Sequence, residues 1–446
     1  MGSNIRLKVA ICGAGIGGLT CALALSKYPD LEIDVYESAN KLAEVGAGIG
    51  LFPRPWKIIR ALGLEQDLLR VTELGVTDGP VTSFRYRKGD QPWESADFHQ
   101  LVTTGSLALL HRADYQQTLL RHLPRSCKTH CSKRLRSYSQ RFSGTIELAF
   151  DDGSVAYCDV LLGADGLKSV VRKCLLGERA RWAQSEGRYK EAAELQQAVD
   201  PVWSGTNAYR ALIPAERLHA RYPSHRALTT PVQYLGKRGY VLAYPISQGK
   251  LVNFVAFTCR HDLENTKFNG PWVSVTEKSQ FMPYFSKWEP EVQAMLECVE
   301  KPLQWAIHTV RPLRSFISGR VALMGDAAHA MTPHQGSGAG QAIEDGYILA
   351  TVLGHPKTTR DNLHRALRIY DEIRRPMAHR VMEKTRMNGR YYSFEFDGLD
   401  IEQLPPDQQW DFLQRMGKKF VKNWEWAWTT TVDDAVEEAL KRLRHA

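Results

Sequence analysis

Apolar positions first form a nearly continuous run. Residues 7–13, Leu-Lys-Val-Ala-Ile-Cys-Gly, are broken only by Lys8 and end at glycine, which predicts a buried strand. Small and apolar side chains then recur at helical spacing over residues 17–27 (Leu19, Ala22, Leu23, Leu25), and Pro29-Asp30 stops that helix. Leu31 to Glu37 predicts a second strand, so the chain opens with a βαβ unit. Residues 105–123 predict a turn and a helix with Leu119, Leu120 and Leu123 on one face. Residues 143–163 predict a hairpin turning at Asp151-Asp152-Gly153 and leading into the strand Val160-Leu161-Leu162-Gly163.

Residues 179–200 are charged and rich in Gln, Glu and Ala, which predicts an exposed loop or helix leading into a second domain. Strand-like runs follow at Asn207–Ile213, Val232–Leu235, Tyr240–Pro245 and Leu251–Thr258, the expected sheet of a substrate domain. Gly319 to Gly325 is another buried strand, and residues 338–353, 361–388 and 408–443 read as helices. The resulting division is a discontinuous nucleotide-binding domain (1–80, 105–180, 300–360), a substrate domain (81–104, 195–299) and a C-terminal helical region (361–446). The aromatic tail Trp424-Glu425-Trp426-Ala427-Trp428 either packs on the core or forms a dimer contact.

With 446 residues, 24% charged and 43% hydrophobic, the chain suits a soluble protein of two or three domains. Its net charge of +9 is spread along the chain rather than drawn into a stripe. That argues against a nucleic-acid partner and for a field that attracts carboxylates and pyrophosphates. The eight cysteines lack zinc-site spacing, so no metal is expected and free thiols in a reducing, cytoplasmic setting are. No signal peptide is expected ahead of Leu7, no apolar run is long enough for a membrane span, and Arg444-His445-Ala446 does not read as a peroxisomal tripeptide or a prenylation box.

Three Gly- and Asp-containing turns carry the chemistry. In the first, Gly13-Ala14-Gly15-Ile16-Gly17-Gly18, the glycines at 13, 15 and 18 stand at the fingerprint positions between a strand and a helix. They permit the tight turn, the approach of backbone to a pyrophosphate, and close helix–strand packing. Glu37, ending the next strand, suits a ribose hydroxyl pair. In the second, Gly163-Ala164-Asp165-Gly166, Asp165 alone would read as a helix cap. In the third, Gly325-Asp326 ends a buried strand, and Asp326 can accept hydrogen bonds from a ribityl chain. The Ser337-Gly338-Ala339-Gly340 turn then aims free amides and a helix dipole at an anion such as a reduced flavin.

Taken together, these segments resemble the class A FAD-dependent aromatic hydroxylases, and the salicylate hydroxylase group most, over roughly residues 7–390. The resemblance implies an α/β fold: a Rossmann-like (three-layer ββα) FAD domain, a β-sheet substrate domain and a C-terminal helical region. It implies FAD as cofactor, NADH or NADPH as co-substrate, and Asp165-Gly166 near both. It also places Arg112 near the FAD and Gly46-Ala47-Gly48-Ile49 close to the flavin, so Ala47 and Gly48 join the expected cofactor residues. Where the family usually continues Pro-Asn, this chain reads Pro53-Arg54, and Arg54 either touches the ribityl or flavin or is exposed.

The implied reaction is hydroxylation of a phenolic aromatic acid by molecular oxygen through a flavin C4a-hydroperoxide, with salicylate giving catechol by loss of carbon dioxide as the leading case. A 4-hydroxybenzoate 1-hydroxylase, a 6-hydroxynicotinate hydroxylase and a polyketide-phenol hydroxylase share all three turns, and a flavin reductase without oxygen insertion is the reading from a different class. Arg210 matches the place of an arginine for the substrate oxyanion, and its guanidinium suits a carboxylate or phenolate. Tyr244 matches a substrate-facing tyrosine of a related hydroxylase, or is core packing. His334 can take or relay the phenol proton, or fixes its loop through backbone bonds. His329 is expected to stabilise the turn beside Asp326. A monomer or a homodimer is equally compatible with these residues.

Overall fold

The computed structural model describes residues 5–42, 48–72, 75–141 and 143–445. Leu7–Cys12 is a strand because its side chains are buried on both faces, with only Lys8 exposed. It forms the centre of a six-stranded sheet ordered Ile317–Ser318, Val321–Leu323, Val160–Gly163, Leu7–Cys12, Leu31–Tyr36, Cys127–His130. All pairings in this sheet are parallel except that of the edge strand Ile317–Ser318. The register sets Cys12 opposite both Gly163 and Tyr36, so all three strands end at one level. Ligands of open parallel sheets lie beyond these carboxyl ends.

The helices Ile16–Leu25 and Gly338–Gly354 pack together over this sheet. They can do so because Gly346 meets Cys21 at backbone distance: a Cβ there would stand 3.0 Å from the Cys21 amide nitrogen. A three-stranded antiparallel meander, Leu135–Gln140, Ile146–Phe150 and Val155–Cys158, is the third layer, with Phe150 packed on Tyr36.

The second sheet has eight strands in the order Val273–Val275, Leu303–Thr309, Val202–Pro214, Leu251–Cys259, Gly239–Ile246, Val232–Gly236, Pro80–Lys88, Asp97–Thr104. Leu303–Thr309 pairs with Val202–Pro214 here, although the sequence places residues from 300 onward in the nucleotide domain. The expectation fails because the strand's partner, distant in sequence, decides which sheet it joins. Residues 170–185 and 189–197 are helices, resolving the loop-or-helix alternative for 179–200.

The C-terminal region is helical over Leu363–Tyr392, Pro406–Trp424 and Asp433–Arg444. Its tryptophans differ: Trp410 is exposed, whereas Trp424 turns inward. Trp424 is 3% exposed and packs on Phe52, Phe84 and Trp428, which is the core alternative for the aromatic tail. All eight cysteines are free thiols, and no helix among the described residues is long and apolar enough to cross a membrane.

Candidate active site

A cavity of about 600 Å³ runs along the carboxyl ends of the parallel strands and on to the second sheet. Gly13, Gly15, Gly18, Glu37, Gly48, Arg112, Asp165, Asp326, Gly338, Ala339 and Arg210 all line it. Ala47 lies outside the described residues.

The turn at residue 13 requires glycine. Gly13 has φ of +107°, and a Cβ on it would stand 2.2 Å from the Ala164 carbonyl oxygen. At Gly18 a Cβ would meet the Gly13 carbonyl at 2.0 Å, the close helix–strand approach that the spacing predicts. A Cβ on Gly15 would meet nothing within 4 Å, which leaves the cavity side of that turn open. The helix that starts there has no side-chain cap and no acidic residue in its first turn, so its first amides face the cavity. The Gly338–Gly354 helix begins in the same way at the other end. Two uncapped helix starts on one elongated cavity suit a pyrophosphate and a flavin that turns anionic on reduction.

Glu37 stands at the far end beside Ser38 and Lys41. Its carboxylate accepts from the Ala14 amide at 2.8 Å and from the Ala39 amide at 2.8 Å, so it ties the glycine turn to the second strand while bordering the cavity. Gln116 was not legible in the sequence. It donates to the Ala14 carbonyl at 3.1 Å, and no local pattern marks it because the contact spans most of the nucleotide domain. Asp165 caps the next helix, accepting from the Val170 amide at 2.7 Å, the Val171 amide at 3.1 Å and the Ser169 hydroxyl. Burial raises its pKa, and these donors oppose the rise. Asp326, by contrast, is exposed to the cavity.

Beneath Gly325-Asp326 lies a buried ion network. Asp345 accepts from the Gly325 amide at 2.9 Å, from His329 Nε2 at 2.5 Å and from Arg374 Nε at 2.8 Å. Burial pushes the Asp345 carboxyl up, but the His329 and Arg374 charges outweigh it and leave it at about 2. His329 is thus structural, through Asp345 rather than Asp326. Arg374 also reaches Glu344 at 2.7 Å, and Arg54 grips the same carboxylate at 2.8 and 3.0 Å. Arg54 donates in addition to Thr430 Oγ1 and the Thr431 carbonyl. The exposed alternative for Arg54 fails: it is buried, stands outside the cavity lining, and joins the third turn's helix to the C-terminal region. Its partners come from positions 290 and 376 residues away, beyond any sequence window.

Gly48 faces His111 across a short antiparallel pair, which brings Arg112 beside it. From the second sheet Arg210 enters the same cavity, and Tyr244 lies behind Gly48, where a Cβ would stand 2.8 Å from its hydroxyl. Burial lowers the Arg210 pKa, with Tyr244 opposing and Arg112 adding to the shift. Among the described residues no carboxylate lies within ion-pair distance of Arg210, whose guanidinium carbon stands 6.0 Å from the Trp305 ring centroid. Tyr244 itself is 8% exposed and packs with Leu109 and Ile246.

His334 departs from its expected place. Pro333 and Gly336 line the cavity, whereas the His334 ring turns away into the core. Its Nδ1 shares a hydrogen bond of 2.7 Å with the Tyr240 hydroxyl, and its ring packs so closely on Gly389 that a Cβ there would stand 2.3 Å from it. Burial lowers its pKa to about 3, so it is neutral. The sequence shows the loop but not which way alternate side chains point.

Fold and cavity together define a dinucleotide-binding flavoprotein with a second sheet closing over its cofactor. Residues 296–385 match the family model of an FAD binding domain, and residues 11–44 that of an NAD(P)-binding Rossmann-like domain. The chain is 35% identical to an FAD-dependent monooxygenase of Strobilurus tenacellus, over 99% of this chain and 98% of that one. It is 33% identical to a salicylate hydroxylase of Pseudomonas putida, over 98% and 95% of the two chains. A salicylate hydroxylase solved as a substrate complex overlays it with a TM-score of 0.82 at 28% identity, covering 98% of each chain. The chain belongs to the class A FAD-dependent aromatic hydroxylases, in the salicylate hydroxylase family. It is a monooxygenase with FAD as cofactor and NADH or NADPH as co-substrate.

Proposed function

We propose that this monooxygenase hydroxylates a phenolic aromatic acid of the salicylate type, replacing the ring carboxylate with a hydroxyl and releasing carbon dioxide. Arg210 carries this reading. A largely buried guanidinium that faces a cavity with no carboxylate partner among the described residues is costly, and an anionic ligand offsets that cost. Arg112, close enough to depress the Arg210 pKa, adds to the same positive field. That field favours the phenolate and holds the acid group in one orientation. Tyr244, packed with Leu109 and Ile246, backs Gly48 from behind the cavity lining, so it supports that edge of the site and is assigned no direct contact with the ring. Asp326 and the Gly338 and Ala339 amides are the groups that would hold FAD at this end, and Gly13 to Gly18 those that would hold its pyrophosphate. When bound, FAD supplies the electron path from the nicotinamide to molecular oxygen. His334 is assigned no proton transfer here; it shapes the loop from behind.

The test is NADH and NADPH oxidation by the yellow protein, with and without salicylate and 4-hydroxybenzoate, following catechol or hydroquinone and carbon dioxide. Hydroxylated product with stoichiometric carbon dioxide supports the reading and names the ring. Hydrogen peroxide alone with both acids would place the substrate elsewhere. In parallel, Arg210→Ala is expected to weaken salicylate binding to the holoenzyme by about 2–4 kcal/mol. Unchanged affinity in a spectroscopic titration would remove Arg210 from the substrate site.

A further inference from the structure

The second sheet is covered unevenly. The face that carries Tyr209 and Ile213 shares an apolar core with Val292 and Met295 of the helix Pro290–Cys298. On the opposite face Ala208, Val255, Phe257 and Tyr240 share a core with Tyr392 and Phe420 of the C-terminal helices. Along the outer edge of that second face the cover ends. Leu303, Trp305, Val273 and Val275 are between 38% and 64% exposed, and Leu212 on the neighbouring strand is 50% exposed.

The register puts these five side chains on one face with Arg210. Directly opposite residues of antiparallel strands share a face, as do alternate residues along one strand. Leu303 stands opposite Arg210, and Val275 opposite Leu303. Trp305 stands opposite Ala208, and Val273 opposite Trp305. Leu212 is two residues beyond Arg210 on its own strand. The Arg210 guanidinium carbon lies 6.0 Å from the Trp305 ring centroid, so the apolar strip begins where the charged group of the cavity ends. With neighbouring strands about 4.8 Å apart, the strip continues for roughly 10 Å beyond Arg210.

A contiguous apolar strip in water is unfavourable and marks a surface that is covered in use. Five side chains fall short of the roughly 800 Å² per partner that a stable dimer buries. The strip is narrow, and one end of it meets the cation of the cavity, which suits a ligand with an anionic head and an apolar chain. We propose that the substrate is an aromatic acid bearing an apolar chain, its acid group or phenolate at Arg210 and its chain laid over Trp305 and Leu303 towards Val275. The proposal deepens the salicylate-type reading above and rests on it: the ring and its reaction are unchanged, and the strip adds selectivity for the chain. Each methylene moved from water onto the strip contributes to binding, whereas unsubstituted salicylate leaves the strip in water.

The experiment is a flavin-absorbance titration of the FAD-loaded protein with salicylate, 4-hexylsalicylate and 6-hexylsalicylate. The double variant Leu303→Ser/Val275→Ser changes exposed side chains and spares the fold; Trp305→Gln is the second variant, with its thermal melt recorded. At least one hexyl acid is expected to bind the parent about tenfold or more tighter than salicylate. Both variants are expected to lose most of that gain, and the double variant to keep its salicylate affinity. Salicylate binding with no gain from either chain would overturn the proposal alone. So would a gain kept within about twofold in both variants. A parent dimer in sedimentation that the double variant splits, with the gain intact, would assign the strip to a second copy of the chain instead. If neither salicylate nor a hexyl acid binds, the salicylate-type reading fails and takes the proposal with it.

Discussion

His334 is a group whose environment sets its chemistry against what its loop position suggests. Wedged between Tyr240, Phe257 and Gly389, it stays neutral down to about pH 3, whereas the unfolded chain protonates it near 6.5. Across that window the unfolded state binds the extra proton, so stability falls as pH drops from 6.5 towards 3. His334→Gln is expected to flatten the pH dependence of urea unfolding in this range while leaving a yellow, folded protein. An unaltered slope would mean that the ring is not buried neutral. Asp326 has the opposite character, exposed to the cavity and free of the network beneath it. Asp326→Ala is expected to purify without flavin; full flavin content after gel filtration would contradict its place on the cofactor.

At the scale of elements, the third turn and its helix are held by charge as well as by apolar packing. Arg54, on the helix Pro53–Leu62, and Arg374, on Leu363–Tyr392, converge on the Glu344-Asp345 pair of Gly338–Gly354. The Arg54 side chain is 7% exposed and that of Glu344 is fully buried. Removing one partner of such a pair leaves a charge stranded, although Arg374 and Gln341 still serve Glu344. Arg54→Ala is therefore expected to cost about 3 kcal/mol in denaturant unfolding, the lower end for a buried pair. A stable variant with a displaced flavin absorbance band would mean instead that Arg54 acts on the cofactor.

At the scale of the molecule, the C-terminal helices seal the junction between the sheets. Trp424 fills a space bounded by Phe52 after the Gly48–Leu51 strand, by Phe84 of the second sheet and by Trp428. Trp424→Ala is expected to lower stability by about 3–5 kcal/mol, as for other large core side chains. Loss of a dimer in sedimentation with unchanged unfolding would place this tryptophan at an interface instead. The same junction carries the flavin cavity, which Arg210 reaches from a strand of the second sheet.

Sequence alone determined the local elements whose physics is local. Gly13 and Gly18 announce a turn that no side chain fits, the apolar runs at Leu7–Cys12 and Val160–Gly163 announce buried parallel strands, and the Gly325-Asp326 turn announces a third loop on the same edge. Residues in such turns need nothing distant to be recognised, which is why most of the expected cofactor residues line one cavity. Tertiary structure decided whatever depends on partners far along the chain. Leu303–Thr309 joined the second sheet because Val202–Pro214 offered its edge. Arg54 became buried because Glu344 and Thr430 met it, and His334 turned inward because Gly389 left room for its ring. Side-chain direction and charge pairing are settled by packing across the whole molecule, and neither spacing nor composition encodes them.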